Sequence, residues 1–127
     1  MLSDAQRNRF DGLLDQLVAA LPDELHRLIE EIPVIVEDEP SAKMKADLEL
    51  DRNTLLCGLH WGIPLTERSV EHSGTMPDGI WLFREPIMHL AGPDTKSLRE
   101  QIRITLLHEI GHHFGLDEDD LARLGYG

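Results

Sequence analysis

The sequence is poor in several features that define whole classes of protein. It contains one cysteine, Cys57, so no disulfide can form within the chain, which fits a reducing compartment. Its most apolar early stretch, Leu13–Leu21, is interrupted by Asp15 and Gln16 and is too short to span a bilayer. The polar residues 1–10 are not followed by the apolar segment of a signal peptide. These shortages predict a soluble, cytoplasmic protein.

Basic residues are also scarce. The chain has 12 Lys and Arg against 24 Asp and Glu, which gives a formal net charge of -12. A surface this acidic repels the phosphates of nucleic acids and the headgroups of anionic lipids. We therefore expect neither nucleic acid nor a membrane among the partners of this protein.

What the chain does contain is an ordinary globular mixture, with 41% hydrophobic and 28% charged residues. Its 127 residues are enough to bury a core without disulfides. This length is typical of one domain and leaves little room for a second. We predict a single domain over residues 1–127.

The order of the predicted elements indicates a compact α+β fold. Hydrophobic periodicity, caps and turn residues predict N-terminal helices, a small sheet and a long C-terminal helix. The elements are a helix from Ser3 to Leu21, a shorter helix from Pro22 to about Glu31, strands over Ile32–Val36, Leu55–Trp61 and Gly79–Arg84, a weakly helical Ala42–Leu50, a loop over Thr66–Met76, a helix from Asp94 or Thr95 to Phe114, and a short helix over Asp119–Leu124.

One motif carries chemistry: His108-Glu109-Ile110-Gly111-His112 has the H-E-x-x-H pattern and lies within the long predicted helix. Two histidines four residues apart on a helix differ by only ~40° of rotation, at ~100° per residue, so both can reach one metal ion. Glu109 lies beside them, where it can take a proton from a water activated by the metal. The motif predicts one bound Zn2+ with Glu109 as the general base.

A catalytic zinc usually has three protein ligands and one open position. Gly115 lets the chain end the helix and turn back toward the metal, and an acidic cluster follows. Glu118 occupies the third-ligand position of extended H-E-x-x-H-x-x-G-x-x-H/D motifs. Asp117 and Asp119 are alternatives, because a change of one residue in the turn would exchange them. The predicted metal ligands are His108, His112 and Glu118.

From about Leu55 onward the chain resembles the small bacterial minimal-zincin metallopeptidase-like family. The segments that carry the resemblance are Leu55-Leu56-Cys57-Gly58-Leu59, Pro64-Leu65-Thr66-Glu67-Arg68-Ser69, Pro77-Asp78-Gly79-Ile80-Trp81-Leu82-Phe83-Arg84, Leu107-His108-Glu109-Ile110-Gly111-His112-His113-Phe114-Gly115 and Leu124-Gly125-Tyr126. It implies a zincin-like fold, with His108 and His112 as ligands, Glu109 as the catalytic residue and an acidic third ligand.

The resemblance also implies a strand that precedes the motif helix and borders the cleft, here Ile80–Arg84. The family usually has Asp at the third ligand position, whereas this chain has Glu118. An extended peptide or protein substrate would pair with the exposed edge of that strand. No methionine follows the motif, which excludes a metzincin-type Met-turn.

Two other interpretations compete with a zinc metallopeptidase. One is a non-catalytic or partner-dependent metal-binding module with a regulatory or interaction role, against which the intact Glu109 argues. The other is a peptidase that cleaves a transcriptional regulator. His72, His89, His113 and Tyr126 are candidate oxyanion donors by type only. His60, between Leu59 and Trp61, is expected to be a structural residue of its strand. The ligand set also accepts divalent ions other than zinc.

Overall fold

A computed structural model describes residues 1–51, 54–61 and 79–123 of the chain. Within these residues it has the predicted α+β architecture, six helices around a three-stranded sheet. The helices are α1 (Asp4–Ala19), α2 (Asp23–Glu30), α3 (Ala42–Asp47), α4 (Arg84–Ala91), α5 (Thr95–Phe114) and α6 (Glu118–Arg123). The strands are β1 (Val34–Glu37), β2 (Gly58–Trp61) and β3 (Gly79–Phe83). The predicted loop over Thr66–Met76 lies outside the described residues.

The strand order is β1-β3-β2, which makes β3 the central strand. It pairs in parallel with β1 and antiparallel with β2, with Val34 opposite Ile80 and Gly58 opposite Leu82. The expectation that Ile80–Arg84 offers a free edge to the cleft is therefore wrong. All five residues of β3 are buried, as is typical of a strand covered on both faces and paired on both edges. The edge strand on the cleft side is β2.

The two faces of the sheet carry unequal cores. Ile80 and Leu82 point to the large face and pack with buried side chains from α1, α2, α4 and α5. Trp81 and Phe83 point the other way and form a small cluster with Met44 of α3. This alternation follows from the two-residue period of a strand.

The long helix α5 is seated in the large core by one row of apolar side chains. Leu98, Ile102, Leu106 and Ile110 are at most 1% exposed. Burying a leucine or isoleucine side chain contributes roughly 1.5–3 kcal/mol, so this row anchors α5 against the body of the domain. The helix that carries the motif is therefore held in place by the core.

Helix α4 was not predicted from the sequence. The strand predicted over Gly79–Arg84 ends at Phe83, and Arg84 begins this helix, in which Pro86 is the third residue. Proline is tolerated in the first helical turn because the backbone N–H groups there have no partner within the helix. The backbone N–H of Glu85 instead donates to the carbonyl of Asp38, at 2.8 Å.

An ion network ties the end of β1 to α1 and α4. Both carboxylate oxygens of Asp38 accept from the guanidinium of Arg7, and one of them also accepts from Arg84 at 3.0 Å. Arg84 reaches Asp11 with two further bonds of 2.9 Å. The two guanidinium groups lower the pKa of Asp38 below its usual value, mainly through the bond from Arg7.

Among the described helices, none combines the length and the apolarity needed to cross a membrane.

Candidate metal and catalytic site

The motif helix begins and ends as its sequence predicts. Of the two candidate caps, Asp94 is the N-cap, and its side chain accepts from the backbone N–H of Ser97 at 2.9 Å. At the other end Gly115 adopts a left-handed conformation, with φ of 68°. The N–H groups of Gly115 and Leu116 both donate to the carbonyl of Gly111, which closes the helix and turns the chain back.

Helix α5 brings His108, Glu109 and His112 together. One potential ligand atom from each residue lies within 4.8 Å of the others. The two imidazole rings meet edge to face with centroids 4.2 Å apart. His108 and His112 are exposed, so a cation can reach both rings from solvent. The four-residue spacing predicts that these two histidines share one face of the helix, and their placement agrees with that prediction.

Glu109 differs from the histidines because it is buried, with 6% of its surface exposed. Its carboxylate lies 3.3 Å from Nδ1 of His112 and interacts with the backbone of His60 by a hydrogen bond. Burial raises the pKa of Glu109, while the nearby His112 and His108 oppose that shift. A carboxyl group with a raised pKa can accept and return a proton nearer neutral pH than an exposed one.

Strand β2 forms the wall that buries Glu109. A Cβ atom at Gly58 would lie 2.7 Å from Cγ2 of Thr105, 3.1 Å from Cγ of Glu109 and 3.2 Å from the carbonyl of Trp81. Only glycine allows the strand to approach the helix this closely. The cleft in front of this wall has a volume of about 450 Å³ and is lined by residues 56–60 of the strand segment and by Ile104, Thr105, His108, Glu109 and His112.

A second contact between β2 and α5 joins two histidines. Nε2 of His60 lies 2.8 Å from Nδ1 of His113, and the two rings meet edge to face. His113 is 2% exposed and also packs against the ring of Phe114. The expectation that His60 is a structural residue of its strand is consistent with this bond. The sequence contained no signal that would have paired it with His113.

The acidic cluster after Gly115 divides into two kinds of residue. Asp117 and Asp120 cap each other across the start of α6, with N–H to carboxylate bonds of 2.8 and 3.0 Å, and Asp120 also pairs with Arg123. Glu118 and Asp119 instead line a cavity that reaches His108. Glu118 does not join the group of three potential ligands found among the described residues. The third ligand therefore stays a prediction.

The other candidate oxyanion donors are scattered. His89 lies on α4 and lines a separate cavity with Lys45 and Glu85. His72 and Tyr126 lie outside the described residues. Cavity size alone does not identify a site, since a groove of about 790 Å³ between α1, α2 and β1 is larger than the cleft beside Glu109. The convergence of titratable side chains is what distinguishes the cleft.

Comparison with known families agrees with this geometry. Residues 29–127 match the family described as zincin-like metallopeptidase, which covers more than half of the chain and includes the whole site. The protein belongs to the zincin-like metallopeptidase family. Comparison with curated proteins gives no match.

Proposed function

We propose that this protein is a zinc-dependent metallopeptidase that hydrolyses peptide bonds with Glu109 as its general base. The observation that carries the proposal is the position of Glu109. Its carboxylate is buried under β2 and opens into the same cleft as His108 and His112. Retention of a metal alone does not require a carboxylate at this position, whereas general-base catalysis requires a proton acceptor within reach of the attacking water.

The donor set fits zinc. Two imidazole rings on adjacent turns supply nitrogen ligands, and catalytic zinc sites commonly add one carboxylate. A bound zinc would supply a Lewis acid that polarises a carbonyl group and acidifies water. His108 and His112 would hold the ion, with Glu118 as the proposed third ligand. The capping role of Asp117 disfavours it, and Asp119 remains the alternative because it lines the same cavity as Glu118.

Proton transfer falls to Glu109. Its carboxylate accepts a proton from the attacking water as the new carbon–oxygen bond forms. It then returns that proton to the amine nitrogen as the carbon–nitrogen bond breaks, so the carboxylate is regenerated. In the metal-free protein, burial raises the pKa of Glu109, so its carboxylate is a stronger base than an exposed one and its conjugate acid still releases a proton to an amine.

The substrate is proposed to be an extended peptide. Strand β2 lines the cleft and pairs only on its β3 side among the residues that the structure describes. A peptide that adds to the other side would be held by backbone hydrogen bonds across the histidine pair. This replaces the predicted strand Ile80–Arg84 with β2 as the substrate-binding edge.

The proposed cellular setting is the cytoplasm, without nucleic acid or membrane partners. It rests on the composition and on the net charge of -12.

The test compares wild type with Glu109→Gln for zinc content and for cleavage of a peptide library. One zinc in both proteins, with cleavage by wild type alone, is the expected result. Zinc in both with cleavage by neither would favour a metal-binding module over an enzyme. A wild type that binds no zinc refutes the metal site itself.

Single alanine variants of Glu118, Asp119 and Asp117 then test the third ligand. The expected order is a large loss of zinc affinity for Glu118→Ala and a small one for Asp117→Ala. A larger loss for Asp119→Ala would reassign the ligand.

A further inference from the structure

Helix α5 positions the backbone of Glu109, but contacts from outside this helix are needed to position its carboxylate. Among the described residues its carboxylate has two hydrogen-bonding neighbours, the ring of His112 and the backbone of His60. His112 is a proposed metal ligand, so its ring would also have to bind the metal ion. The backbone N–H of His60 does not bind the metal, so it can donate to Glu109 whether or not a metal is bound. What fixes His60 therefore fixes the base.

Strand β2 is a short element to carry this role. It has four residues and one hydrogen-bonded neighbour, β3, among the described strands. Among the described residues its further support comes from Leu59 and Trp61, which pack against the small cluster around Met44, and from its contact with α5. Gly58 and His60 lie on the same face of the strand, because side chains alternate with a period of two. Gly58 approaches Thr105 and Glu109, and His60 reaches His113.

The matching residues on α5 also share one face. Thr105, Glu109 and His113 follow each other at intervals of four, which places them in one row along the helix. Contact at Gly58 is steric and can only keep the strand from moving closer. The bond between the rings of His60 and His113 is attractive and can keep the strand from moving away. The two contacts lie on either side of Glu109.

We propose that His113 is a positioning residue for Glu109, acting through His60 to hold β2 where its backbone donates to the Glu109 carboxylate. This inference rests on the proposed function, since it assigns a role in that reaction. His113 is 2% exposed and has no place in the cleft lining, so it acts without touching substrate. At 2.8 Å one ring nitrogen donates its N–H and the other accepts.

The proposal can be tested with substitutions that leave the backbone donor of residue 60 unchanged. The group that bonds to Glu109 is the backbone of residue 60, so changing the side chain leaves that donor in place. His60→Leu and His113→Leu remove the bond, and the double variant leaves no polar ring buried without its partner. His60→Gln and His113→Asn place an amide group near the original nitrogen and conserve the bond. His26→Leu on α2 is the matched control, since His26 lies outside the site.

The first readout needs neither zinc nor substrate. The backbone amide resonance of residue 60 is compared with and without Glu109→Gln in each background. In wild type this substitution is expected to shift the resonance, because it changes the acceptor. The shift should be lost in the double leucine variant and kept in the Gln and Asn variants. A double leucine variant that keeps the wild-type shift overturns the proposal.

The second readout is kinetic, on zinc-loaded protein. We expect one bound zinc in every variant, and a kcat lowered by roughly 10- to 100-fold in the leucine variants, less than most of the roughly 100- to 10,000-fold that a general base contributes, because the base is displaced and not removed. KM should change less than kcat, and the amide variants should recover most of the activity. Equal kcat in leucine and amide variants contradicts the proposal. Absence of cleavage by wild type would sink the proposed function alone, because the amide resonance still decides whether His113 positions Glu109.

Discussion

Replacing Gly58 with alanine tests the central structural claim, that β2 approaches α5 too closely at this position for any side chain. The new Cβ would lie 2.7 Å from Cγ2 of Thr105, whereas ordinary contacts are 3.4–4 Å. Rotation of Thr105 is opposed, because its hydroxyl donates to the carbonyl of Gln101 at 2.8 Å. The strand must therefore move away from the helix by several tenths of an ångström.

Two effects of this movement can be estimated. Overpacking of this kind typically costs about 1–3 kcal/mol of unfolding free energy. The loss of chain freedom from Gly to Ala offsets about 0.4–1 kcal/mol of that. A net destabilisation of about 1–2 kcal/mol corresponds to a fall in Tm of roughly 2–10 °C for a domain of this size. A misplaced base also lowers kcat/KM, by up to about 100-fold for a displacement near 1 Å.

The assay is thermal and urea unfolding, with peptide cleavage measured on zinc-loaded protein. Gly12→Ala is the matched control, because no heavy atom lies within 4 Å of its added Cβ and its helix should gain about 0.5–1 kcal/mol. Thr105→Ser in the Gly58→Ala background removes the clashing methyl group, keeps the hydroxyl and should restore part of the loss. A Gly58→Ala protein as stable and as active as wild type would refute the close approach.

Three further predictions concern the rest of the molecule. Because the folded pKa of Asp38 is lowered, its ion pairs stabilise the protein above the ordinary pKa of 3.8, and this stabilisation is lost as pH falls through the lower folded pKa. Urea unfolding between about pH 5 and pH 2, roughly the range where paired carboxylates titrate, should therefore show a steeper loss of unfolding free energy for wild type than for Asp38→Asn. Zinc at about 100 times its Kd should add about 2.7 kcal/mol to the unfolding free energy, and this gain should vanish in His108→Ala, or the proposed site is wrong. Asp117→Ala should speed hydrogen exchange at the amide of Asp120, whose acceptor it removes, and unchanged exchange would argue against the cap.

The parts of the structure that could be predicted from the sequence are those specified by local signals. The start of α5 at Asp94, its end at Gly115 and the shared face of the histidine pair follow from caps, a glycine and the helical period. Each depends on residues within one or two turns, so no knowledge of the tertiary fold is needed.

The features that could not be predicted depend on contacts between elements that lie far apart in the sequence. The burial of Glu109 comes from β2, about 50 residues earlier in the chain by the spacing of the two segments. Strand β3 was correctly located, but its central place in the sheet depends on β1 and β2 pairing with it. Helix α4 was missed because Pro86 acts as a breaker within a helix but is tolerated in its first turn.

The contact between β2 and α5 also explains how so small a domain can hold a catalytic base. Four residues of helix rise about 6 Å, and two residues of strand advance about 6.6 Å, so the two repeats nearly match. Thr105, Glu109 and His113 can thus face Gly58 and His60 in sequence along one line. A slip of one residue in β2 would turn both of its contact residues away from α5. The register of this single strand therefore determines both the burial of Glu109 and its hydrogen bond, which the motif by itself cannot provide.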